Sequence, residues 1–113
     1  MLTASGTGAI LDLAAVSFYE GTVALAHAGI ASTLLPENLS LAGLLRGDVD
    51  AATRAILFDP QTSGGLLAGI PKERAAACVR ALRSAGYGAS AVVGSVGGAV
   101  ASPEAIGIQI RAD

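Results

Sequence analysis

The sequence predicts an α+β fold in which helices pack on one mixed or antiparallel sheet. Short apolar runs bounded by turn residues alternate with segments that carry helix start and stop signals, and the last apolar segment alternates with period two. Apolar residues make up 52 % of the 113 residues and charged residues 14 %, which is enough apolar material for one core. We therefore expect a single domain over residues 1–113.

The amino-terminal part predicts a strand followed by a helix. Residues 8–13 form a short apolar run that favours a strand. Ser17 offers a helix N-cap, and Glu20 three residues later completes a capping box. Gly29 is placed to end this helix in the left-handed conformation.

Residues 30–53 are less regular. Pro36 indicates a turn, residues 39–45 predict a short helix closed near Gly47, and residues 48–53 predict a further helical turn.

Two continuous apolar runs, residues 55–58 and 66–70, predict central strands that are covered on both faces. Pro71 suits the first turn of the next helix, which is expected to end at Gly86. The buried stripe of this helix is predicted at Ala75, Cys78, Val79 and Leu82.

The carboxy-terminal part predicts two more strands. Residues 91–93 form one, and Ile106, Ile108 and Ile110 alternate with smaller or polar residues as in a strand with one buried face. Three glycines between residues 94 and 98 are expected to bend or end strands. The complete element order resembles the split βαβ arrangement of ferredoxin-like folds, so a partial ferredoxin-like topology is expected.

Charge and composition argue against several classes of protein. A net charge of −2 without a dense basic run disfavours nucleic-acid binding. Residues 84–103 are uncharged but rich in glycine, which disfavours a membrane span. The single cysteine excludes an internal disulfide, and the first residues do not resemble a signal peptide. We expect a cytoplasmic protein with neither nucleic acid nor membrane as a partner.

The densest polar cluster lies between the two predicted central strands. It brings a carboxylate, an amide, two hydroxyls and two glycines to one end of the sheet. A plain connecting loop and a binding edge for phosphate or a neighbouring domain both fit these groups, and a Walker A loop is excluded because the Gly-Lys-Ser/Thr ending is missing. The cluster, as candidate binding residues, is Asp59, Gln61, Thr62, Ser63, Gly64 and Gly65.

Other residues that could carry chemistry are better explained structurally. Cys78 lies on the apolar stripe of a helix, as a core cysteine does. His27 is near a helix carboxy terminus and belongs to no Ser-His-Asp set or metal-spaced cluster. Asp48 and Asp50 fit a solvated turn better than a metal site. No catalytic or metal-binding residue is expected in this chain.

Residues 58–67, FDPQTSGGLL, resemble the signature of the carboxy-terminal domain of selenophosphate synthetases (selenide, water dikinases) at all ten positions. The flanks agree, so the resemblance covers nearly the whole chain; they are an ASGTGA stretch before a strand, a helix ending Ala28-Gly29-Ile30, the loop STLLPEN, and a helix after Pro71 ending Ala85-Gly86-Tyr87. That family is similar to aminoimidazole ribonucleotide synthetase, whose carboxy-terminal domain is an α+β layer structure with partial ferredoxin-like topology.

The resemblance implies an enzyme that converts ATP, selenide and water to selenophosphate, AMP and phosphate, with magnesium on the phosphates. It also implies that the amino-terminal domain carries the reactive Cys or selenocysteine, the Lys and the metal-binding aspartates. Cys78 and Lys72 match neither of the first two, and the aspartate of an Asp-Val-Thr-Gly-Phe-Gly stretch has no counterpart here.

The resemblance thus implies a carboxy-terminal domain truncated on its amino-terminal side, inactive and without cofactor when alone. Its partner is the missing amino-terminal ATP-binding domain, and the full-length enzyme is expected to be a homodimer that uses ATP and magnesium. Residues 59–65 are expected to lie near the domain interface and to close one side of the nucleotide cleft. The alternative is a free-standing ferredoxin-like regulatory module that binds a small ligand or a protein without catalysis.

Overall fold

The computed structural model describes residues 2–60, 64–99 and 107–111. Its helices and strands, in chain order, are α1 (Leu2–Ser5), β1 (Thr7–Asp12), a 3-10 turn (Leu13–Ala15), α2 (Thr22–His27), α3 (Leu35–Asn38), a second 3-10 segment (Leu39–Leu44), β2 (Leu45–Arg46), α4 (Ala51–Phe58), α5 (Lys72–Ser84), β3 (Gly94–Ala99) and β4 (Ile108–Arg111). Within those residues, no helix has both the length and the apolar character needed to span a membrane.

The four strands form one mixed sheet in the order β2-β4-β1-β3. β1 pairs antiparallel with β3 and parallel with β4, and β4 also pairs parallel with β2. Helices combined with this mixed sheet confirm the predicted α+β class. A partial ferredoxin-like arrangement is compatible with the strand order, although the order does not by itself establish it.

The first and last predicted strands are confirmed as β1 and β4. In β4 the burial alternates as expected, because Ile110 is buried whereas Gln109 and Arg111 are exposed. Ile106, which was expected to extend this pattern, lies outside the described residues. Ile110 belongs to a small core that also contains Leu35 and Ala52.

The strand predicted at residues 91–93 lies further along the chain. β3 spans Gly94–Ala99 and includes the glycines that were expected to end strands. The ladder with β1 explains this difference, because the Asp12 N–H donates to the carbonyl oxygen of Val93 at 2.9 Å where the pairing begins. A Cβ on Gly94 would collide with the carbonyl oxygen of Ile10, so the glycine permits the close approach of two strands.

α2 ends where it was predicted to end but starts later. Its first helical residue is Thr22, preceded by Gly21 at φ +83°, and no side chain caps it. Ser17, the predicted cap, instead lies with its hydroxyl 3.5 Å from the carbonyl oxygen of Ala89. At the other end, Gly29 has φ +78° and its neighbour Ile30 donates back into the helix, which completes a Schellman motif.

Residues 55–58, predicted as a strand, form the second half of α4. The helix begins after Asp50, whose carboxylate accepts a hydrogen bond of 2.8 Å from the Thr53 N–H. The helical turn predicted over residues 48–53 is therefore the start of a longer helix. A run of four apolar residues cannot distinguish a buried strand from a helix that buries one face against α2.

The strand predicted at residues 66–70 is also absent, since this described segment has no regular secondary structure. Leu66 and Leu67 are exposed by 102 % and 71 %. None of the four strands of the sheet pairs with the segment. Its apolar character therefore does not serve the core of this chain.

α5 confirms the helix predicted after Pro71, which lies at the N-cap. Gly86 at φ +99° ends it in a second Schellman motif, in which the Tyr87 N–H donates to the Leu82 carbonyl oxygen at 3.0 Å. The predicted stripe is only partly covered, because Cys78 is half-buried and Leu82 remains 40 % exposed.

The segment before α4 is more helical than predicted. The turn at Pro36 is the first turn of α3, and the short helix predicted over residues 39–45 is the second 3-10 segment. Gly47 follows with φ +113°, as expected for the residue that closes it.

Candidate functional site

The candidate site begins where α4 ends. Asp59 is the C-cap residue, with φ −61° and ψ 131°, and its N–H donates to the Ile56 carbonyl oxygen at 3.3 Å. The extended ψ of Asp59 follows from Pro60, because a residue before proline is disfavoured in the helical region. The sequence therefore stops the helix at Asp59, the first residue of the polar cluster.

A cleft of about 340 Å³ opens between α2 and α4 beside Asp59. Its walls are mainly apolar and include Leu25, Ile30 and Ile56. Hydroxyl groups come from Thr22 and Ser32, and Asp59 is the one ionisable residue in the described lining. An apolar cleft with a few polar groups is typical of small-molecule or partner-binding sites.

Asn38 contacts the last turn of α4. Its side-chain amide donates a hydrogen bond of 2.8 Å to the carbonyl oxygen of Phe58, the residue immediately before Asp59. This bond satisfies one of the last-turn carbonyls of α4, which the helix itself leaves without a partner. Sequence reasoning treated Asn38 only as part of a turn and of the STLLPEN resemblance, so its role in positioning Asp59 was missed.

Three of the predicted site residues, Gln61, Thr62 and Ser63, lie outside the described residues. Gly64 and Gly65 are described and exposed, without regular secondary structure. A Cβ built on Gly65 would meet no atom within 4 Å. The close approach expected at these glycines is therefore not made at Gly65 by the described part of this chain.

Large apolar side chains lie next to the cluster in the sequence. Leu66 is fully exposed, Leu67 is 71 % exposed and Ile70 is 42 % exposed. Exposed apolar surface of this kind marks contact surfaces when it is contiguous. The signature segment thus joins a cleft-lining carboxylate to a strongly apolar, solvent-exposed stretch.

Asp50 caps α4. The N–H and hydroxyl of Thr53 lower the pKa of Asp50, with a smaller contribution from the positive charge of His27. These hydrogen bonds from Thr53 are the ones by which Asp50 caps α4. Residues 2–60, 64–99 and 107–111 contain no group of three or more His, Cys, Asp or Glu side chains placed to hold a metal ion.

The remaining candidate residues lie away from the cleft lining. Cys78 is a half-buried free thiol on α5, and Lys72 is the first residue of that helix. His27 is in the last turn of α2, where a protonated histidine interacts favourably with the helix dipole.

Fold and site together define an α+β protein in which Asp59, within the FDPQTSGGLL segment, lines a cleft between two helices. No known family profile matches the chain, and no solved structure matches it. Among curated proteins, the selenide, water dikinase of Rhizobium meliloti (strain 1021) is 34 % identical over 109 residues, covering 94 % of this chain and 31 % of that protein. The selenide, water dikinase of Pelobacter propionicus is 36 % identical over 100 residues, covering 85 % and 28 %.

A third relative, the selenide, water dikinase of Clostridioides difficile (strain 630), is 30 % identical over 99 residues and 85 % of this chain. The chain is selenophosphate synthetase-like over most of its length. It spans between 28 % and 31 % of the length of the curated relatives it matches.

Proposed function

We propose that this chain is the carboxy-terminal domain of a selenide, water dikinase, which makes selenophosphate from ATP, selenide and water. The observation that carries the proposal is the share of each protein that the match covers. The match to the Rhizobium meliloti enzyme covers 94 % of this chain but 31 % of that enzyme, and it accompanies a complete ten-residue signature.

In this proposal the domain closes one side of the nucleotide cleft. α4 delivers the signature segment to the rim of the cleft beside Asp59, and Asn38 holds the end of α4 in place. Residues 59–65 supply polar groups and backbone N–H groups at the interface with the amino-terminal ATP-binding domain. Closing the cleft excludes water, which strengthens every electrostatic contact to the transferred phosphoryl group.

Within the described residues, no group of three or more His, Cys, Asp or Glu side chains is placed to hold a magnesium ion without a nucleotide. The lining of the cleft has one carboxylate, Asp59, with the hydroxyls of Thr22 and Ser32. A nucleotide-bound Mg²⁺ commonly takes one or two carboxylates in addition to phosphate oxygens. Asp59 alone meets that minimum, but the resemblance implies that the metal-binding aspartates lie in the amino-terminal domain. In this proposal ATP and magnesium therefore bind to that domain, and the isolated domain makes no selenophosphate. The complete enzyme is a cytoplasmic homodimer in this proposal.

The proposal is tested by adding the amino-terminal part of the Rhizobium meliloti relative to this chain in trans. We expect saturable binding that Asp59→Asn weakens, whereas the matched Glu73→Gln variant on α5 leaves it unchanged. ³¹P NMR of the chain alone with ATP, magnesium and selenide is expected to show no selenophosphate. Absence of binding would favour the free-standing ferredoxin-like module, and selenophosphate from the chain alone would overturn the assignment of the chemistry.

A further inference from the structure

A second and smaller cleft, of about 180 Å³, lies at the carboxyl ends of β1 and β4. It shares no lining residue with the cleft beside Asp59. Because β1 and β4 are parallel neighbours, their last residues meet at the same edge of the sheet. The lining consists of Ile10, Asp12, Val92, Gly94, Ser95 and Arg111.

Strand register brings the polar residues of this cleft to one face of the sheet. Asp12 is the Cα partner of Arg111, and Ile10 is the Cα partner of Ser95. Since side chains alternate between faces along a strand, Ile10 and Asp12 share a face with both partners. Ile110, one residue before Arg111, lies on the opposite face and is buried. The cleft therefore lies on the outer face of the sheet.

Gly94 shapes the wall that β3 contributes. A Cβ at this position would collide with the carbonyl oxygen of Ile10, so the glycine lets β3 lie directly against β1. The next residue, Ser95, is then held at the cleft with an exposed hydroxyl.

Asp12 and Arg111 place opposite charges side by side in this cleft. One carboxylate oxygen of Asp12 accepts from the Ala14 N–H at 3.2 Å, which fixes the carboxylate, and the other lies 3.5 Å from Nη2 of Arg111. That separation exceeds the roughly 2.7–2.9 Å of a strong charge-assisted hydrogen bond. The side chains are 55 % (Arg111) and 31 % (Asp12) exposed, so the pair is loose and both groups are open to a ligand.

We propose that this cleft binds a short aliphatic α-amino acid. The ligand carboxylate pairs with the guanidinium of Arg111, whose five N–H donors exceed the needs of one loose contact. The ligand ammonium pairs with Asp12, and the aliphatic side chain packs on Ile10 and Val92. A zwitterion matches the two charges together, whereas free phosphate is repelled by Asp12 and a simple amine by Arg111. The small volume excludes a drug-sized ligand, for which roughly 300 Å³ or more is typical.

The test is a ¹⁵N–¹H NMR titration of the protein with L-valine and matched probes. 3-Methylbutanoate lacks the ammonium, 2-methylpropylamine lacks the carboxylate, and inorganic phosphate is the third comparison. We expect valine to shift the amides of Ile10, Asp12, Ser95 and Arg111 saturably. Its Kd is expected to be about tenfold lower than that of either singly charged probe, because each of those loses one charge-assisted contact.

Two variants locate the charges, and the dispersion of the NMR spectrum verifies that each is folded. Arg111→Gln is expected to weaken valine binding about tenfold, and Arg80→Gln, on the exposed face of α5, is expected to leave it unchanged. Asp12→Asn keeps an oxygen that accepts from the Ala14 N–H. It is expected to weaken the binding of valine and to improve the binding of 3-methylbutanoate.

The proposal is overturned if valine gives no saturable shift, if phosphate binds these residues as tightly as valine does, or if Arg111→Gln does not change valine binding. Because no probe requires ATP or selenide, failure here leaves the proposed kinase function untouched.

Discussion

The side-chain amide of Asn38 donates a hydrogen bond of 2.8 Å to the carbonyl oxygen of Phe58. This contact joins the end of α3 to the first residue of the FDPQTSGGLL segment. The bond is part-buried and joins residues 20 positions apart, so it ties the last turn of α4, next to Asp59, to α3.

We expect Asn38→Ala to destabilise the chain, because it leaves the Phe58 carbonyl oxygen without its donor. The cost of a part-buried, unsatisfied group is about 1–3 kcal/mol. The free energy of unfolding in urea measures it. Ser40→Ala, two residues on at an exposed position, is the matched control. Equal unfolding midpoints for the two variants would show that the Asn38 contact contributes nothing to stability.

Gly94→Ala should be far more costly than Gly98→Ala in the same strand. A Cβ at residue 94 collides with the Ile10 carbonyl oxygen, whereas at residue 98 it meets no atom of the described residues within 4 Å. Forcing β1 and β3 apart costs about 1–3 kcal/mol, and the control is expected to remain within about 0.5 kcal/mol of the parent. Thermal unfolding of both variants tests this, and similar melting temperatures would contradict the observed register of β1 and β3.

Asp50 should make stability depend on pH in the acidic range. Hydrogen bonds from Thr53 lower its pKa below the ordinary value of 3.8, so the folded state binds fewer protons than the unfolded state there. The resulting stabilisation is complete above pH values near 3.8 and is lost as the pH falls through the lowered pKa. Thr53→Val removes the hydroxyl donor and is expected to raise the pKa of Asp50.

¹³C NMR of the Asp50 carboxyl group, recorded between acidic and neutral pH, measures this pKa in the parent and in Thr53→Val. Asp50→Asn retains a capping oxygen but does not titrate. Its stability deficit relative to the parent should shrink as the pH is lowered. A deficit that is constant with pH would mean that the carboxylate charge is not what caps α4.

Truncation of a core residue should destabilise the chain far more than truncation of an exposed residue of the signature. Ile110 is 7 % exposed and Leu66 is 102 % exposed. Ile110→Ala is expected to cost about 2–5 kcal/mol, whereas Leu66→Ala is expected to change the free energy of unfolding by less than about 0.5 kcal/mol. Urea unfolding compares the two. A large loss at Leu66 would mean that residues 66–70 pack in the core, as the sequence alone predicts.

Local signals account for the elements that the sequence predicts well. Gly29 and Gly86 end α2 and α5 because each adopts the left-handed conformation, which glycine allows without steric cost. A single residue type is therefore enough to predict each helix end. β4 is predictable because its alternation places Ile110 on one face and Gln109 on the other.

Contacts between distant residues account for most of what the sequence could not predict. Residues 55–58 contain too few positions to show a helical period, and the cap that starts their helix lies at Asp50. The start of β3 depends on how closely Gly94 approaches Ile10, which no local pattern encodes.

The same division between local signals and distant contacts holds for the two clefts. The ten-residue signature can be recognised from the sequence alone. The end of α4 at Asp59, within this signature, follows from Pro60. Its support by Asn38 joins residues 20 positions apart, and the pairing of Asp12 with Arg111 joins residues 99 positions apart. Such contacts depend on tertiary structure, which periodicity and capping rules do not specify.

The most direct measurement replaces the matching segment of the Rhizobium meliloti enzyme with this chain and follows selenophosphate by ³¹P NMR with ATP, magnesium and selenide. We predict that the hybrid makes selenophosphate and that changing Asp59 to Asn reduces its rate while Glu73→Gln does not. A folded hybrid that binds ATP but makes no selenophosphate would contradict the assignment of this chain as the carboxy-terminal domain of such an enzyme.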